Sequence, residues 1–236
     1  MNNLWVFGHS LCLPFNLEKS ATGWVDLLAE KNNLNPLNYS QPGADNFYIY
    51  RSFLNNKKFI KENDIVIIGW SHYSRKSFVL DRNNKNQTAL IDTSLVYKSN
   101  GIEFIRNNNP INGDSNKWLS MKPVERGVDY YDNWFNNYYS KYEQQSNFQS
   151  YLDSLNYNFP NYIPFFFSKE SIEGIDTPQT HAGFITEFII ENKFQISKED
   201  IHLSETGHIS WANHLQSFVD ECILTTCHPR HKLGEI

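Results

Sequence analysis

The stretch Leu4-Trp5-Val6-Phe7-Gly8-His9-Ser10 decides how the rest of the chain is read. Four apolar residues in succession, with no polar alternation, predict a short strand covered on both faces. The run stops at Gly8, so the hydroxyl of Ser10 would sit at the strand's C-terminal end. In open α/β sheets that end is where ligands bind. Moving outward, Trp24, Leu27 and Leu28 have helical spacing, and residues 34–39 read as a second strand. The turn-rich Ser40-Gln41-Pro42-Gly43-Ala44-Asp45-Asn46 follows, in which Asp45 or Asn46 can cap a helix carrying Phe47, Tyr50, Phe53 and Leu54. Asp64-Ile65-Val66-Ile67-Ile68-Gly69 is then the strongest strand, a β-branched run suited to the centre of a parallel sheet.

Strand, helix, strand, helix, strand predicts a parallel sheet with right-handed crossovers. From about residue 77 to 127 the pattern dissolves into Asn, Lys and Asp, too long for a plain connection, and is expected to be an insertion. Helical spacing resumes at Val128, Tyr131, Trp134, Phe135, Tyr138 and Tyr142, and again at Phe148, Leu152 and Leu155. A core face explains these aromatics better than a sugar-binding one. Residues 161–167 read as a strand, 180–192 as a helix, and 204–224 as a last helix with Ile209, Trp211, Ala212, Leu215, Phe218, Val219 and Ile223 inward. No repeat or linker divides the chain, so residues 1–236 are expected to form a single domain.

Composition excludes several classes. The net charge is −5 and no basic block is present, so nucleic acid is not an expected partner. No segment approaches the roughly 18 consecutive apolar residues of a membrane span, so no membrane partner is expected either. No secretory signal opens the chain, and three scattered Cys make no disulfide framework, which points to a cytoplasmic protein. Neither a metal nor any other cofactor is expected. His228-Pro229-Arg230-His231 lacks Cys or acidic companions and reads as a tail. The oligomeric state is not legible.

A serine hydroxyl becomes a useful nucleophile only when a base takes its proton during attack. Histidine, with an ordinary pKa of about 6.5, suits that task, and a carboxylate on its other ring nitrogen fixes the tautomer. Glu199-Asp200-Ile201-His202-Leu203-Ser204-Glu205-Thr206-Gly207-His208 supplies both just before the last helix. Ser10 is therefore the candidate nucleophile and His202 its base, with Asp200 the preferred acid and Glu199 the alternative. His208 reads as a helix-start residue, and Cys12 as a small buried hydrophobe. Candidate oxyanion donors are the backbone N–H groups of Ser10 and Gly43 and the side chains of Asn46 and Ser71. All lie just beyond predicted strand ends.

These blocks resemble the SGNH (GDSL-type) hydrolases. Phe7-Gly8-His9-Ser10 stands where that family usually has Gly-Asp-Ser, with His9 replacing the Asp. Pro42-Gly43-Ala44-Asp45-Asn46 is similar to the second block, whose Gly donates to the oxyanion. Gly69-Trp70-Ser71-His72 falls at the third block, where Ser71 replaces the usual Asn. Trp70-Ser71 followed by Arg75 is similar to phage-type members. Asp200-Ile201-His202 resembles the last block.

The resemblance implies a flavodoxin-like three-layer α/β/α fold with a central parallel sheet and an inserted region between the third and fourth strands. It implies a serine esterase acting through a covalent acyl-enzyme on an acetyl or other short acyl ester, with a small molecule or glycan as substrate. From the residues themselves, Trp70 and His72 could line the substrate pocket, packing being at least as good a reading of Trp70, and Arg75 could bind an anionic substrate group or pair with a surface acid, the latter preferred. The alternatives are an inactive glycan-binding module on the same scaffold and an acyltransferase.

Overall fold

The computed structural model describes residues 1–14, 22–73, 75, 77–79, 96–99, 102–106, 140–159, 161–178, 180–197 and 200–226. Its elements run β1 (Asn3–Phe7), α1 (Trp24–Lys31), β2 (Asn35–Asn38), α2 (Asn46–Asn56), β3 (Ile65–Trp70), β4 (Ser77–Val79), β5 (Val96–Ser99) and β6 (Ile102–Arg106). They continue with α3 (Lys141–Asn158), β7 (Ile163–Phe166), α4 (Ile185–Glu191) and α5 (Glu205–Thr226).

Four strands form a parallel sheet in the order β2-β1-β3-β7. Trp5 stands opposite both Leu37 and Val66, and Ile67 opposite Ile163. Strand side chains alternate between faces, and both faces are covered. On one side Leu4, Val6, Ile65, Ile67 and Phe165 pack against Trp24 and Leu28 of α1, Ile185 and Ile189 of α4, and Trp211 and Leu215 of α5. On the other, Trp5, Phe7, Val66, Ile68 and Phe166 meet Ile49 and Phe53 of α2 and Phe148, Leu152 and Leu155 of α3. The architecture is the three-layer α/β/α arrangement expected from the sequence. The segment between β3 and β7 carries the antiparallel sheet β4-β6-β5. β2 is a mostly exposed edge, which suits the Pro36 within it.

Asp45 caps α2, its carboxylate accepting the N–H of Tyr48 at 2.8 Å. The helix expected over 180–192 is shorter, because its first part is drawn out along the edge of β7. Ala182 N–H donates to Pro164 O, Phe166 N–H donates to Gly183 O, and Gly183 takes a φ of +91°. Pairing with this edge strand satisfies backbone groups there, so the helix starts only at Ile185. The periodic stretch from Val128 to Tyr138 and the 228–231 tail lie outside the described residues. Among those described, no helix is long and apolar enough to cross a membrane.

At the N-terminal rim of the sheet Asp64 gathers several donors. Asp64 accepts from Asn3 N–H, Trp5 Nε1–H and Lys61 N–H at 2.8, 2.8 and 3.1 Å, and from the Asn3 amide. Burial alone would raise its pKa, but these donors outweigh it and hold the carboxyl below its ordinary value.

Candidate active site

β1 hands the chain to a single 3-10 turn over Ser10–Cys12, closed by Cys12 N–H to His9 O and Leu13 N–H to Ser10 O, both 3.0 Å. Gly8 is required here, since a Cβ would overlap Cys12 Sγ. Ser10 is half-buried. His9, where the resembling family has Asp, is fully buried and edge-on to Phe165 and Phe167. Its Nδ1 accepts the Leu11 N–H at 3.4 Å, so the ring does the capping work a carboxylate would do. Burial, reinforced by the charges of Arg75 and His202, pushes its pKa well below the ordinary value, so this histidine is neutral. Burial also pushes the Cys12 thiol up to about 12, which removes it as a rival nucleophile at neutral pH.

The segment before α5 is a tight loop. Ile196 N–H donates to His202 O at 3.0 Å, Asp200 N–H to Ser197 Oγ at 3.2 Å, and Gln195 bridges Leu203. The loop brings His202 Nδ1 to 2.6 Å from Asp200 Oδ1, and the same oxygen accepts the His202 N–H at 2.9 Å. Burial would raise the Asp200 pKa, but the two bonds from His202 and its charge lower it on balance, so the acid is ionised at neutral pH. Glu199 lies outside the described residues. The His202 ring is close enough to His9 and to His208 to depress both electrostatically. No hydrogen bond joins Ser10 to His202 among the described residues, and such contacts often close only around substrate.

Gly43 is brought to the same rim. Gln41 N–H donates to Gly8 O at 3.1 Å, tying its turn to the end of β1. Asn38 Nδ2 donates to Cys12 O at 2.7 Å, tying β2 to the Ser10 turn. Gly43 has a φ of +67°, a left-handed conformation costly for residues with a Cβ. Neither Ser10 N–H nor Gly43 N–H donates to a protein acceptor among the described residues.

The side-chain candidates fare differently. Asn46 clamps the backbone of Ser71, its Oδ1 accepting the Ser71 N–H at 2.8 Å and its Nδ2 donating to Ser71 O at 3.0 Å. That reciprocal pair locks α2 to the end of β3, and it commits one Nδ2 hydrogen that an oxyanion could use. Ser71 is fully buried with its hydroxyl unpartnered. Of the two readings of Trp70, packing is the one its surroundings favour, since it is 0% exposed and packs on Phe148. His72 is also buried, and burial followed by the charges of Arg75 and Lys141 brings its pKa down to about 4. Arg75 is half-buried, its guanidinium 5.1 Å from the centre of the Phe167 ring.

The two rims contrast. Around the strand C-termini, His9 Nε2, Trp70 Nε1, Ser71 Oγ and Gln144 Nε2 are buried without a hydrogen-bond partner among the described residues. A buried polar group left unpaired costs about 1–3 kcal/mol, so groups of this kind are ones that an ordered water or a ligand would satisfy. Nothing in the sequence singled out Gln144. A cavity of about 590 Å³ opens at the opposite rim, near Lys61, Asp64, Tyr162, Thr180 and Cys222. Burial, with Glu221 adding to it, pushes the Cys222 thiol there up to about 11.

In sequence, the chain matches no protein-family model and no curated protein. In structure it is similar to the psychrotrophic esterase EstA from Pseudoalteromonas sp., solved inhibited by monoethylphosphonate. The TM-score is 0.50 at 11% identity, covering 94% of this chain and 98% of that one. TesA (TM-score 0.49, 11% identity, 94% and 99% covered) and a lipolytic protein of the G-D-S-L family from Desulfitobacterium hafniense (0.43, 12%, 93% and 99%) also align. The chain thus shares its fold with that esterase.

Proposed function

We propose that this chain is a serine ester hydrolase with Ser10 as nucleophile, His202 as base and Asp200 as its orienting acid. The observation that carries the reading is the His202 Nδ1–Asp200 Oδ1 contact of 2.6 Å. It leaves Nε2 as the nitrogen to take a proton, and the His202 ring stands within electrostatic reach of the residue preceding Ser10.

The chemistry follows from those roles. Ser10 Oγ attacks the ester carbonyl while His202 Nε2 takes its proton, and Asp200 stabilises the imidazolium. Negative charge gathers on the carbonyl oxygen, where the N–H groups of Ser10 and Gly43 donate. Collapse breaks the ester C–O bond, and the imidazolium returns its proton to the departing alkoxide. Water then attacks the acyl-Ser10 ester by the same proton relay, releasing the acid and restoring Ser10.

The substrate we favour is a short acyl ester, such as an acetyl group, on a carbohydrate. His72 and Arg75 are the candidate substrate contacts beside the orphaned polar groups of this rim. Hydrolysis of a short-chain chromogenic ester by the wild-type protein and by Ser10→Ala tests the assignment. The variant should lose at least about a thousandfold in kcat. Equal rates would leave the glycan-binding module as the better reading.

A further inference from the structure

His208 has a role that neither nucleophile, base nor acid explains. It lies one turn into α5, whose start is fixed by Ser204: His208 N–H donates to Ser204 O at 2.9 Å and Gly207 N–H to Ser204 Oγ at 3.3 Å. His202 stands two residues before that Ser204, so the position of His208 relative to His202 is set by the helix start. The His208 side chain is buried and reaches across to α1, its Nδ1 accepting the Trp24 N–H at 3.2 Å. That N–H is the first of α1, one of the four at a helix start that have no acceptor within the helix. Trp24 in turn donates its indole Nε1–H to Leu11 O at 2.9 Å. Leu11 is the middle residue of the Ser10–Cys12 turn.

Two buried hydrogen bonds in series therefore join the start of α5 to the turn that carries Ser10. Trp24 is 0% exposed and seated against Phe165, so the connection cannot swing aside without disturbing the core. We propose that His208 is a positioning residue: through Trp24 it sets the separation of the His202 loop from the Ser10 turn, and it transfers no proton. The inference rests on the assignment of Ser10 and His202 made above. Its leverage comes from geometry, since a misplacement of about 1 Å between reacting groups can cost about a hundredfold in rate.

The test uses the full chain, measuring kcat and KM on a short-chain chromogenic ester and thermal midpoints in parallel. His208→Leu removes the acceptor and should lower kcat about ten- to a hundredfold with KM nearly unchanged. In His208→Asn the amide Oδ1 occupies the place of Nδ1, and kcat should recover to within about threefold of wild type. In His208→Gln the acceptor lies one bond too far, and kcat should stay low. Trp24→Phe deletes the indole donor together with part of the ring's volume, which the thermal midpoint reads separately, and should lower kcat to a similar degree. Because the two links act in series, the His208→Leu/Trp24→Phe double variant should be no slower than the slower single variant. The proposal is overturned if the two effects multiply, if Gln serves as well as Asn, or if kcat holds in His208→Leu, whatever its thermal midpoint. A Ser10→Ala control separates the two failures. Should that variant keep the wild-type rate, the nucleophile assignment falls and this inference with it. If Ser10→Ala is inactive and the rescue pattern fails, only this inference falls.

Discussion

Lowering the pH from 7.5 to 4.5 should cost this protein about 5 kcal/mol of stability through two histidines alone. His72 and His208 are held at about 4, chiefly by burial, with Arg75 and Lys141 adding to the effect at His72 and His202 at His208. In the unfolded chain both would titrate near 6.5. Between those values the unfolded state binds more protons than the native one, so stability falls as pH falls through this window. At about 1.4 kcal/mol per pH unit, and allowing for partial protonation near pH 4.5, each residue contributes about 2.5 kcal/mol. His9, also buried and neutral, acts in the same direction. Asp64 and Asp200 have pKa values lowered from 3.8, so their share is lost mostly at still lower pH. A domain's whole stability is about 5–15 kcal/mol, so the loss is a large part of it. Urea unfolding at the two pH values, followed by far-UV circular dichroism, measures it as a fall in the midpoint at constant m-value. The His208→Asn variant, which cannot titrate there, should lose about 2.5 kcal/mol less over the same interval. Stabilities equal within about 1 kcal/mol at pH 7.5 and 4.5 would refute the reasoning.

Asp200→Asn should lower kcat by about 10²–10⁴-fold, since an amide can donate to Nδ1 and hold the wrong tautomer. Its thermal midpoint should barely move, because the pair is nearly half exposed and such pairs add little stability. Asn46→Ala removes both bonds to the Ser71 backbone and should destabilise by about 2–4 kcal/mol in urea unfolding. Gly8→Ala forces a methyl into Cys12 Sγ and should cost about 1–3 kcal/mol; adding Cys12→Ala should restore most of it, measured by the same titration.

The sheet was legible because its strands state their environment. Leu4–Phe7 and Ile65–Ile68 are apolar on both faces, and the structure covers both faces with helices. The Asp45 cap was legible too, since the side chain acts on a backbone group three residues away. What escaped the sequence depends on partners distant along the chain. Trp70 looks the same as an apolar pocket residue or as a core residue, and only Phe148, on a helix far downstream, decides for the core. The helix over 180–192 lost its first part to pairing with β7, an edge no local pattern announces. Asn46 reaching Ser71, and His208 reaching Trp24, are side-chain-to-backbone bonds across 25 and 184 positions, for which no spacing rule exists. His9 in place of an acidic residue is explained only by its bond to the Leu11 N–H and its aromatic surroundings.

The central claim concerns one hydroxyl. Treatment with a fluorophosphonate, followed by digestion and mass spectrometry, reads directly whether Ser10 is activated. A single adduct on the peptide containing Ser10 is expected, absent from Ser10→Ala and strongly slowed in His202→Ala. A folded wild-type protein that stays unlabelled, or an adduct on any other residue, would contradict the account.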